Sequence, residues 1–143
     1  MPYTARLLIH DVVNVKPATT IAEAARIMKQ SNIGAVIVSE GGPKPMGIFT
    51  ERDVLRRVVA EGLDPKATTV SQVMTKTLVT VEASEPLDRV FEQLADGRFR
   101  HLPITEAGQV VGIVSLTDLA KVLRQVYKED KYIQYFADVV QSR

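Results

Sequence analysis

The seven residues Gly47-Ile48-Phe49-Thr50-Glu51-Arg52-Asp53 (GIFTERD) have a second version in the chain, Gly112–Asp118 (GIVSLTD). Each stretch has a glycine, two apolar residues, a hydroxyl residue, two variable positions and an aspartate. Each is followed by apolar residues at helical spacing, which predicts a strand that leads directly into a helix. The recurrence of this pattern indicates that the chain contains two copies of one unit.

The similarity of the two copies extends well beyond the heptapeptide. Apolar positions in residues 12–38 match those in residues 78–104, and each copy has the predicted order β-α-β-β-α. Two units of about 60 residues are too few for a solenoid, so each is expected to complete the core of the other. We predict a mixed α/β fold in one compact module, with repeats at 1–66 and 67–127 and a C-terminal helical tail at 128–143.

The composition restricts the class of function. Lys plus Arg is 18 and Asp plus Glu is 17, so the basic excess typical of nucleic-acid or anionic-membrane binding is missing. The chain has no cysteine, which excludes disulfides and cysteine-based sites. No apolar run approaches the ~18 residues of a membrane span, and the N-terminus lacks a signal-peptide pattern. We therefore expect a soluble, cytoplasmic protein with no nucleic-acid or membrane partner.

Two interpretations of the heptapeptide use the same atoms. The pairs Thr50/Asp53 and Ser115/Asp118 have capping-box spacing, and such a cap alone stabilises a helix by about 1 kcal/mol. Alternatively, the free N–H groups of a helix start favour a phosphate, and the hydroxyl adds a donor. The aspartate is suited to accepting hydrogen bonds from the two hydroxyls of a ribose. The glycine either relieves crowding at the strand or admits a ligand to the backbone. Repetition of the full spacing favours nucleotide binding.

The double β-α-β-β-α pattern, with G-h-h-[ST]-x-x-D at the end of each copy, resembles a tandem pair of CBS domains, also called a Bateman module. The resemblance covers residues 8–126 and implies two small three-stranded sheets with helices, packed about a pseudo-twofold axis. It implies clefts at the junction that bind an adenine nucleotide, AMP first and ADP or ATP next, with no required cofactor. Thr50 and Ser115 would contact phosphate, and Asp53 and Asp118 would hold the ribose.

A basic pair distinguishes the two copies. In nucleotide-sensing relatives, such as the gamma subunit of AMP-activated protein kinase, the strand before the hairpin opens with two basic residues. Arg100-His101 resembles that pair in reversed order, whereas the first copy has Gly34-Ala35. Both are therefore candidate phosphate ligands, although one basic strand could serve either phosphate and His101 could be an ordinary surface residue. We expect unequal sites, the one built on Ser115 and Asp118 being the stronger. Candidate substitutes for the missing pair of the first copy are Arg52 and Arg56 on its second helix, or Arg98.

The resemblance also implies where adenine would lie, near the first strand and helix start of each copy. The candidate adenine-proximal residues are Val15, Thr20, Val81 and Pro103. Thr20 and Glu23 also have capping-box spacing at the first helix. His10 has no ligand-spaced neighbour and is interpreted as incidental, and two histidines without cysteine do not indicate a metal site.

No P-loop, zinc-protease or nucleophile-elbow motif occurs, so catalysis is not expected. The leading hypothesis is a ligand sensor that signals to a separate, unidentified partner protein. One alternative is a scaffold with unoccupied clefts. The others are a module for another adenosyl ligand, such as NAD or S-adenosylmethionine, and, more distantly, an enzyme acting on a nucleotide. A homodimer is expected through helical faces that carry Leu55, Val58, Val59, Leu119, Val122 and Leu123.

Overall fold

The computed structural model describes residues 3–42, 44–97, 99–126 and 140–141. The predicted tail helix, apart from Val140 and Gln141, and Arg98 lie outside these residues. By packing, the chain divides into two units. The first unit holds residues 11–78 and 107–110, and the second unit holds the residues up to His10, residues 79–106 and the chain from Val111. The predicted repeat limits at 66/67 and 127/128 follow the sequence pattern and stay a prediction.

Each β-α-β-β-α copy forms one three-stranded sheet with helices, which confirms the predicted fold class. The first copy consists of β1 (Asn14–Val15), α1 (Ile21–Ser31), β2 (Ala35–Val38), β3 (Gly47–Thr50) and α2 (Glu51–Asp53), which continues as a π-helix (Val54–Val59). The second consists of β4 (Val81–Glu82), α4 (Leu87–Ala95), β5 (His101–Glu106), β6 (Gln109–Ser115) and α5 (Leu116–Val126). A 3-10 helix (Ala5–Leu8) precedes the elements of the first copy, and α3 (Val70–Val73) precedes those of the second.

The first sheet has β2 in its centre, parallel to β1 and antiparallel to β3. Because side chains alternate along a strand, Val36 and Val38 of β2 face one side and enter the core, where Phe49 of β3 also lies. Residues from α1 and α3 complete this core, which also contains Val58 of the π-helix. The buried residues of the core are Val15, Ile21, Ala24, Met28, Val36, Val38, Phe49, Val58, Val70, Val73 and Met74.

The second sheet repeats this order, with β5 between β4 and β6 and with β4 parallel to β5. Ala107 and Gly108 link β5 to β6 at φ 53° and 78°, the conformation of a two-residue hairpin turn. The core of this unit includes residues of the N-terminal 3-10 helix as well as of the repeat. Its buried residues are Ala5, Leu8, Val81, Ala83, Leu87, Val90, Leu94, Leu102, Ile104, Val114, Leu119 and Leu123.

A segment that lies outside the β-α-β-β-α elements covers the edge strand of each sheet. In the first unit, Thr75 exchanges two backbone hydrogen bonds with Ile48 of β3, at 3.0 and 2.9 Å. In the second unit, the His10 N–H donates to the Val111 carbonyl at 3.2 Å, and His10 Nε2 lies 2.9 Å from the Ile113 carbonyl oxygen. His10 therefore has a structural role that the sequence did not indicate, and covered edges are protected from pairing with other chains.

The glycine of each heptapeptide lies directly under the covering segment. A Cβ on Gly47 would lie 2.7 Å from both the Met74 Sδ and the Thr75 carbonyl oxygen. A Cβ on Gly112 would lie 2.9 Å from the Leu8 carbonyl oxygen. Relief of crowding by the chain itself therefore accounts for both glycines. The idea that they admit a ligand is not needed.

Half of the six residues predicted for dimerisation lie in the cores. Val58 is 0% exposed, and Leu119 and Leu123 are equally inaccessible, so assigning these three to a surface was wrong. The cause is that each is the residue that its helix turns towards the sheet. Leu55 and Val59 are 61% and 62% exposed and remain available. None of the helices in the described part of the chain combines the length and the apolar composition of a membrane-spanning helix.

Substituting Gly47→Ala should lower the free energy of unfolding by about 1–3 kcal/mol, because the new methyl group meets backbone that cannot move aside. Chemical denaturation measures this change. Gly42→Ala is the matched control: its Cβ has no neighbour within 4 Å, so its effect should stay within about 0.5 kcal/mol. Equal stability of the two variants would contradict the close packing of β3 against Thr75.

Candidate functional site

The first helix start is closed by a reciprocal pair of hydrogen bonds. Thr50, the last residue of β3, donates its N–H to Asp53 Oδ2 at 2.9 Å, and the Asp53 N–H donates to Thr50 Oγ1 at 3.3 Å. Two backbone donors that a helix start leaves without intrahelical acceptors are satisfied in this way. The capping box predicted from the spacing is confirmed.

The second helix start has the same arrangement with one more bond. The Ser115 N–H and the Ser115 hydroxyl both donate to Asp118 Oδ2, at 3.1 and 2.9 Å, and the Asp118 N–H donates to Ser115 Oγ at 3.1 Å. Both heptapeptides therefore bring a hydroxyl and a carboxylate together at the end of a strand. In both, Oδ2 of the aspartate accepts the backbone N–H of the hydroxyl residue three positions earlier.

The two carboxylates differ in whether their second oxygen, Oδ1, has a partner. Asp118 is exposed, and within the described part of the chain its Oδ1 has no hydrogen-bond or ion-pair partner. Asp53 is only 14% exposed in its side chain, and its Oδ1 lies 3.5 Å from Arg57 Nε. The second helix start thus offers a carboxylate oxygen to solvent, whereas the first directs its carboxylate to a cation of the same chain.

The backbone donors at the two helix starts differ in the same sense. The Glu51 N–H donates to the Gly34 carbonyl at 2.9 Å, so the first residue of α2 is already bonded. At the start of α5, the Leu116 N–H has no such bond to a carbonyl outside its helix among the described residues, and like the Thr117 N–H it has no acceptor within the helix. The 11 residues of α5 also carry a helix dipole whose positive end lies here.

The basic pair lies at the beginning of β5. Arg100 is exposed in the bend before the strand, and His101 is its first residue, half-buried with Nδ1 shielded from solvent. In the first unit the corresponding strand start, Ala35, is the Cα partner of Thr50. Because β5 and β6 are joined by a two-residue turn, we expect the basic pair to lie beside Ser115. Arg52, the candidate of the first copy, is half-buried in α2.

Two of the candidate adenine contacts have side chains that are buried in the cores. Val15 and Val81 are buried in the cores of their units, so only their backbone groups could meet a base. Thr20 caps α1 by accepting the Glu23 N–H at 3.2 Å, and within this described segment the return bond from the Thr20 N–H to the Glu23 carboxylate is not formed. Pro103 is buried on β5, on the opposite face from the core residues that flank it.

Two open cavities lie in the first unit. One, of about 490 Å³, adjoins the start of α2 and is lined by Ala25, Met28, Lys29, Asn32, Ile33, Gly34, Glu51 and Val54. The other, of about 430 Å³, is lined by Asn14, Ile37, Ser39, Gly41, Gly42, Pro45, Gln109 and Val110. Both volumes are in the range of roughly 300–1,000 Å³ that small-molecule sites occupy. Neither lining includes Thr50 or Asp53. The described residues contain no group of three or more His, Asp or Glu that could hold a metal ion.

The family assignment follows from a direct match. The profile described as CBS domain matches the chain twice, at residues 5–60 and 70–125. The chain belongs to the CBS domain family. The two matched CBS segments contain the two heptapeptides, one each, which confirms the resemblance inferred from their spacing.

Relatives of this CBS pair include both short and long proteins. The CBS domain-containing protein YhcV of Bacillus subtilis is 42% identical over 110 residues, which are 77% of each chain. The protein CBSCBSPB2 of Arabidopsis thaliana is 32% identical over 112 residues. Those residues are 78% of this chain and 21% of the plant protein, so the chain spans about a fifth of that relative's length.

Solved structures of CBS proteins have the same fold. The CBS-domain containing protein ATU1752 from Agrobacterium tumefaciens superposes with a TM-score of 0.75 at 38% identity, covering 83% of this chain and 97% of that one. A protein from Burkholderia ambifaria MC40-6, whose description combines signal transduction with CBS domains, has a TM-score of 0.77 at 30% identity, with coverage of 89% and 95%. A hexameric CBS-CP12 protein from cyanobacteria has a TM-score of 0.76 at 26% identity, with coverage of 92% and 78%.

Substituting Ser115→Ala should lower the free energy of unfolding by about 1 kcal/mol, because the Asp118 N–H loses its side-chain acceptor. Thermal or chemical denaturation measures the change. Thr117→Ala is the matched control, since Thr117 is exposed in the same helical turn and should change stability by less than about 0.5 kcal/mol. An unchanged stability of the Ser115 variant would mean that the cap is not formed in solution.

Proposed function

We propose that this CBS pair is a regulatory module that binds an adenine nucleotide, with AMP as the first candidate and ADP or ATP next, at the start of α5. Tandem CBS proteins are commonly regulatory or signal-transduction modules. The observation that carries the proposal for this chain is the exposed Asp118 Oδ1 beside the Ser115 hydroxyl at an uncovered helix start.

The carboxylate of Asp118 has the capacity that a ribose requires. An ionised carboxylate has about four acceptor positions, two on each oxygen. Ser115 uses both positions on Oδ2 through its N–H and its hydroxyl. Both positions on Oδ1 remain for the 2′ and 3′ hydroxyls of one sugar. Hydrogen bonds to a charged acceptor contribute about 1.5–3 kcal/mol each, which makes this carboxylate the main determinant of sugar binding in the proposal.

A phosphate at the same helix start would find three kinds of donor. The N–H groups of Leu116 and Thr117 and the positive end of the α5 dipole favour an anion. The Ser115 hydroxyl can rotate from Asp118 to the phosphate, since it donates to only one group at a time. Arg100 would supply positive charge, and His101 a ring nitrogen, at the start of the neighbouring strand. The absence of such a pair in the first copy supports the expectation that the two sites are unequal.

Regulation would follow from differential affinity for two arrangements of the module. A nucleotide that binds one arrangement more tightly shifts the population towards it, and a partner that recognises that arrangement then responds. We propose that the output goes to a separate protein and that the module itself is not an enzyme. Self-association is also proposed, through the exposed Leu55 and Val59, and the hexameric CBS-CP12 protein supports it as a property of the fold.

A scaffold without a ligand is the second candidate. One observation favours it: every hydrogen bond that Asp53 and Asp118 make within the described residues goes to the turn they cap or to the same helix. A protein that used the heptapeptides only as caps would need nothing more. The scaffold and the sensor differ in one measurable property, which is the binding of a nucleotide.

Isothermal titration calorimetry with AMP, ADP, ATP, NAD and S-adenosylmethionine separates the two. The sensor predicts saturable binding of an adenine nucleotide, and at 100 times Kd the ligand should stabilise the fold by about 2.7 kcal/mol. Asp118→Asn should weaken binding by about 10- to 100-fold, because the charged acceptor of the diol is lost. Thr117→Ala, one residue earlier, should bind like the unchanged protein. Absence of heat and of any thermal shift with all five ligands would favour the scaffold.

A further inference from the structure

The guanidinium of Arg57 contacts three oxygen atoms of the first unit. Its Nε lies 3.5 Å from Asp53 Oδ1, and its Nη1 donates to the Val73 carbonyl at 2.9 Å and approaches the Met74 carbonyl at 3.4 Å. We propose that Arg57 is a specificity-determining residue that withholds Asp53 from a nucleotide, so that the module presents one ribose site, at Asp118, instead of two. This inference rests on the proposed function.

The carbonyls that anchor Arg57 belong to the end of α3. Val73 is the last residue of that helix and Met74 is its C-cap. The last carbonyls of a helix have no intrahelical donor and carry partial negative charge, so a cation is favoured there. The planar guanidinium can donate in one direction to these carbonyls while its Nε faces the carboxylate. Although the Arg57 side chain is 49% exposed, it is tied at its far end and does not depend on Asp53 alone for its position.

Arg57 lies in the widened turn that follows α2. The Ala60 N–H donates to the Leu55 carbonyl five residues earlier, and Val54–Val59 form a π-helix. The corresponding helix of the second copy, α5, is an ordinary α-helix over Leu116–Val126. π-turns often occur at functional positions. Here the widened turn carries the residue that distinguishes the two copies.

The second copy has a valine where the first has this arginine. Val122 follows Asp118 by the same four residues that separate Arg57 from Asp53, and it packs partly buried against the core of its unit. Val122 cannot pair with Asp118, and although Lys121 lies three residues after Asp118, no cation of the described residues forms an ion pair with this exposed carboxylate. The residue four positions after the aspartate therefore decides whether the carboxylate is paired with a cation, as with Arg57, or is left open to a ligand, as with Val122.

A ribose that approached Asp53 would have to compete for both oxygens. Oδ2 accepts the Thr50 N–H, and Oδ1 faces the guanidinium of Arg57. Binding the diol would require the ion pair to be separated in a site where the carboxylate is only 14% exposed. No comparable separation is needed at Asp118. The first site is therefore weak because of Arg57, in addition to lacking the basic pair of the second.

The test compares Arg57→Val, which installs the residue of the second copy, with Arg57→Lys, which keeps the charge. Both are titrated with AMP by calorimetry beside the unchanged protein. We expect one strong equivalent for the unchanged protein and for Arg57→Lys. For Arg57→Val we expect a second equivalent, or a gain of about tenfold or more in the affinity of the weak class. Two further variants assign the gained site. The double variant Arg57→Val/Asp118→Ala should keep it, and the triple variant Arg57→Val/Asp118→Ala/Asp53→Ala should lose it.

The outcomes separate this inference from the proposed function. If the unchanged protein binds AMP and Arg57→Val binds it with the same number and affinity, Arg57 has only a structural role and the inference is overturned, whatever the melting temperature does. Weaker binding by Arg57→Val would make Arg57 itself a ligand contact and would also overturn it. If only Arg57→Val binds, the inference stands while the assignment to Asp118 falls. If neither binds, both are wrong.

Discussion

The reciprocal hydrogen bonds between a hydroxyl residue and an aspartate three positions later are the interaction on which the rest of the structure depends. They end β3 and β6, begin the following helices and fix the position of each carboxylate relative to the strand. Because the cap needs only one carboxylate oxygen, the second oxygen is left for another partner. In one copy that partner is Arg57, and in the other the second oxygen has no partner among the residues that the structure describes. The same local chemistry thus produces a closed helix start and an open one.

Much of the fold was predictable because it follows from the order of residues that are close together in the sequence. Spacing of apolar residues and the two heptapeptides predicted the β-α-β-β-α order, both sheets and the cap at Thr50. Contacts made by segments outside the β-α-β-β-α elements were not predictable. Thr75 and His10 cover the sheet edges through main-chain bonds, which carry no side-chain pattern. For the same reason the glycines were open to two interpretations until the carbonyls above them were known. Val58 and Leu123 look like a surface stripe in sequence, and only packing distinguishes the two sides of such a helix.

The residues of the candidate site were predictable from the sequence, but the physical cause of the difference between the two copies was not. The sequence indicated unequal copies from Arg100 and His101, while the structure adds a separate cause in the guanidinium that faces Asp53. The four-residue spacing of Asp53 and Arg57 is visible in the sequence, yet i,i+4 pairs on exposed helix faces are common and weak. This pair differs from a common exposed pair because Arg57 is also hydrogen-bonded to the end of α3, sixteen residues further along the chain. Two copies can therefore keep one cap and still differ in the ligands they accept.

The most direct test of the account is a crystal structure of the protein grown with AMP. The account predicts electron density for a ribose whose hydroxyls lie within hydrogen-bond distance of Asp118 Oδ1, with the phosphate at the Ser115 hydroxyl and the first N–H groups of α5. Asp53 should keep its contact with Arg57 in the same crystal. Density for AMP at another place, with Asp118 still bonded only to Ser115, would contradict the central claim that the open carboxylate at this helix start is a sugar site.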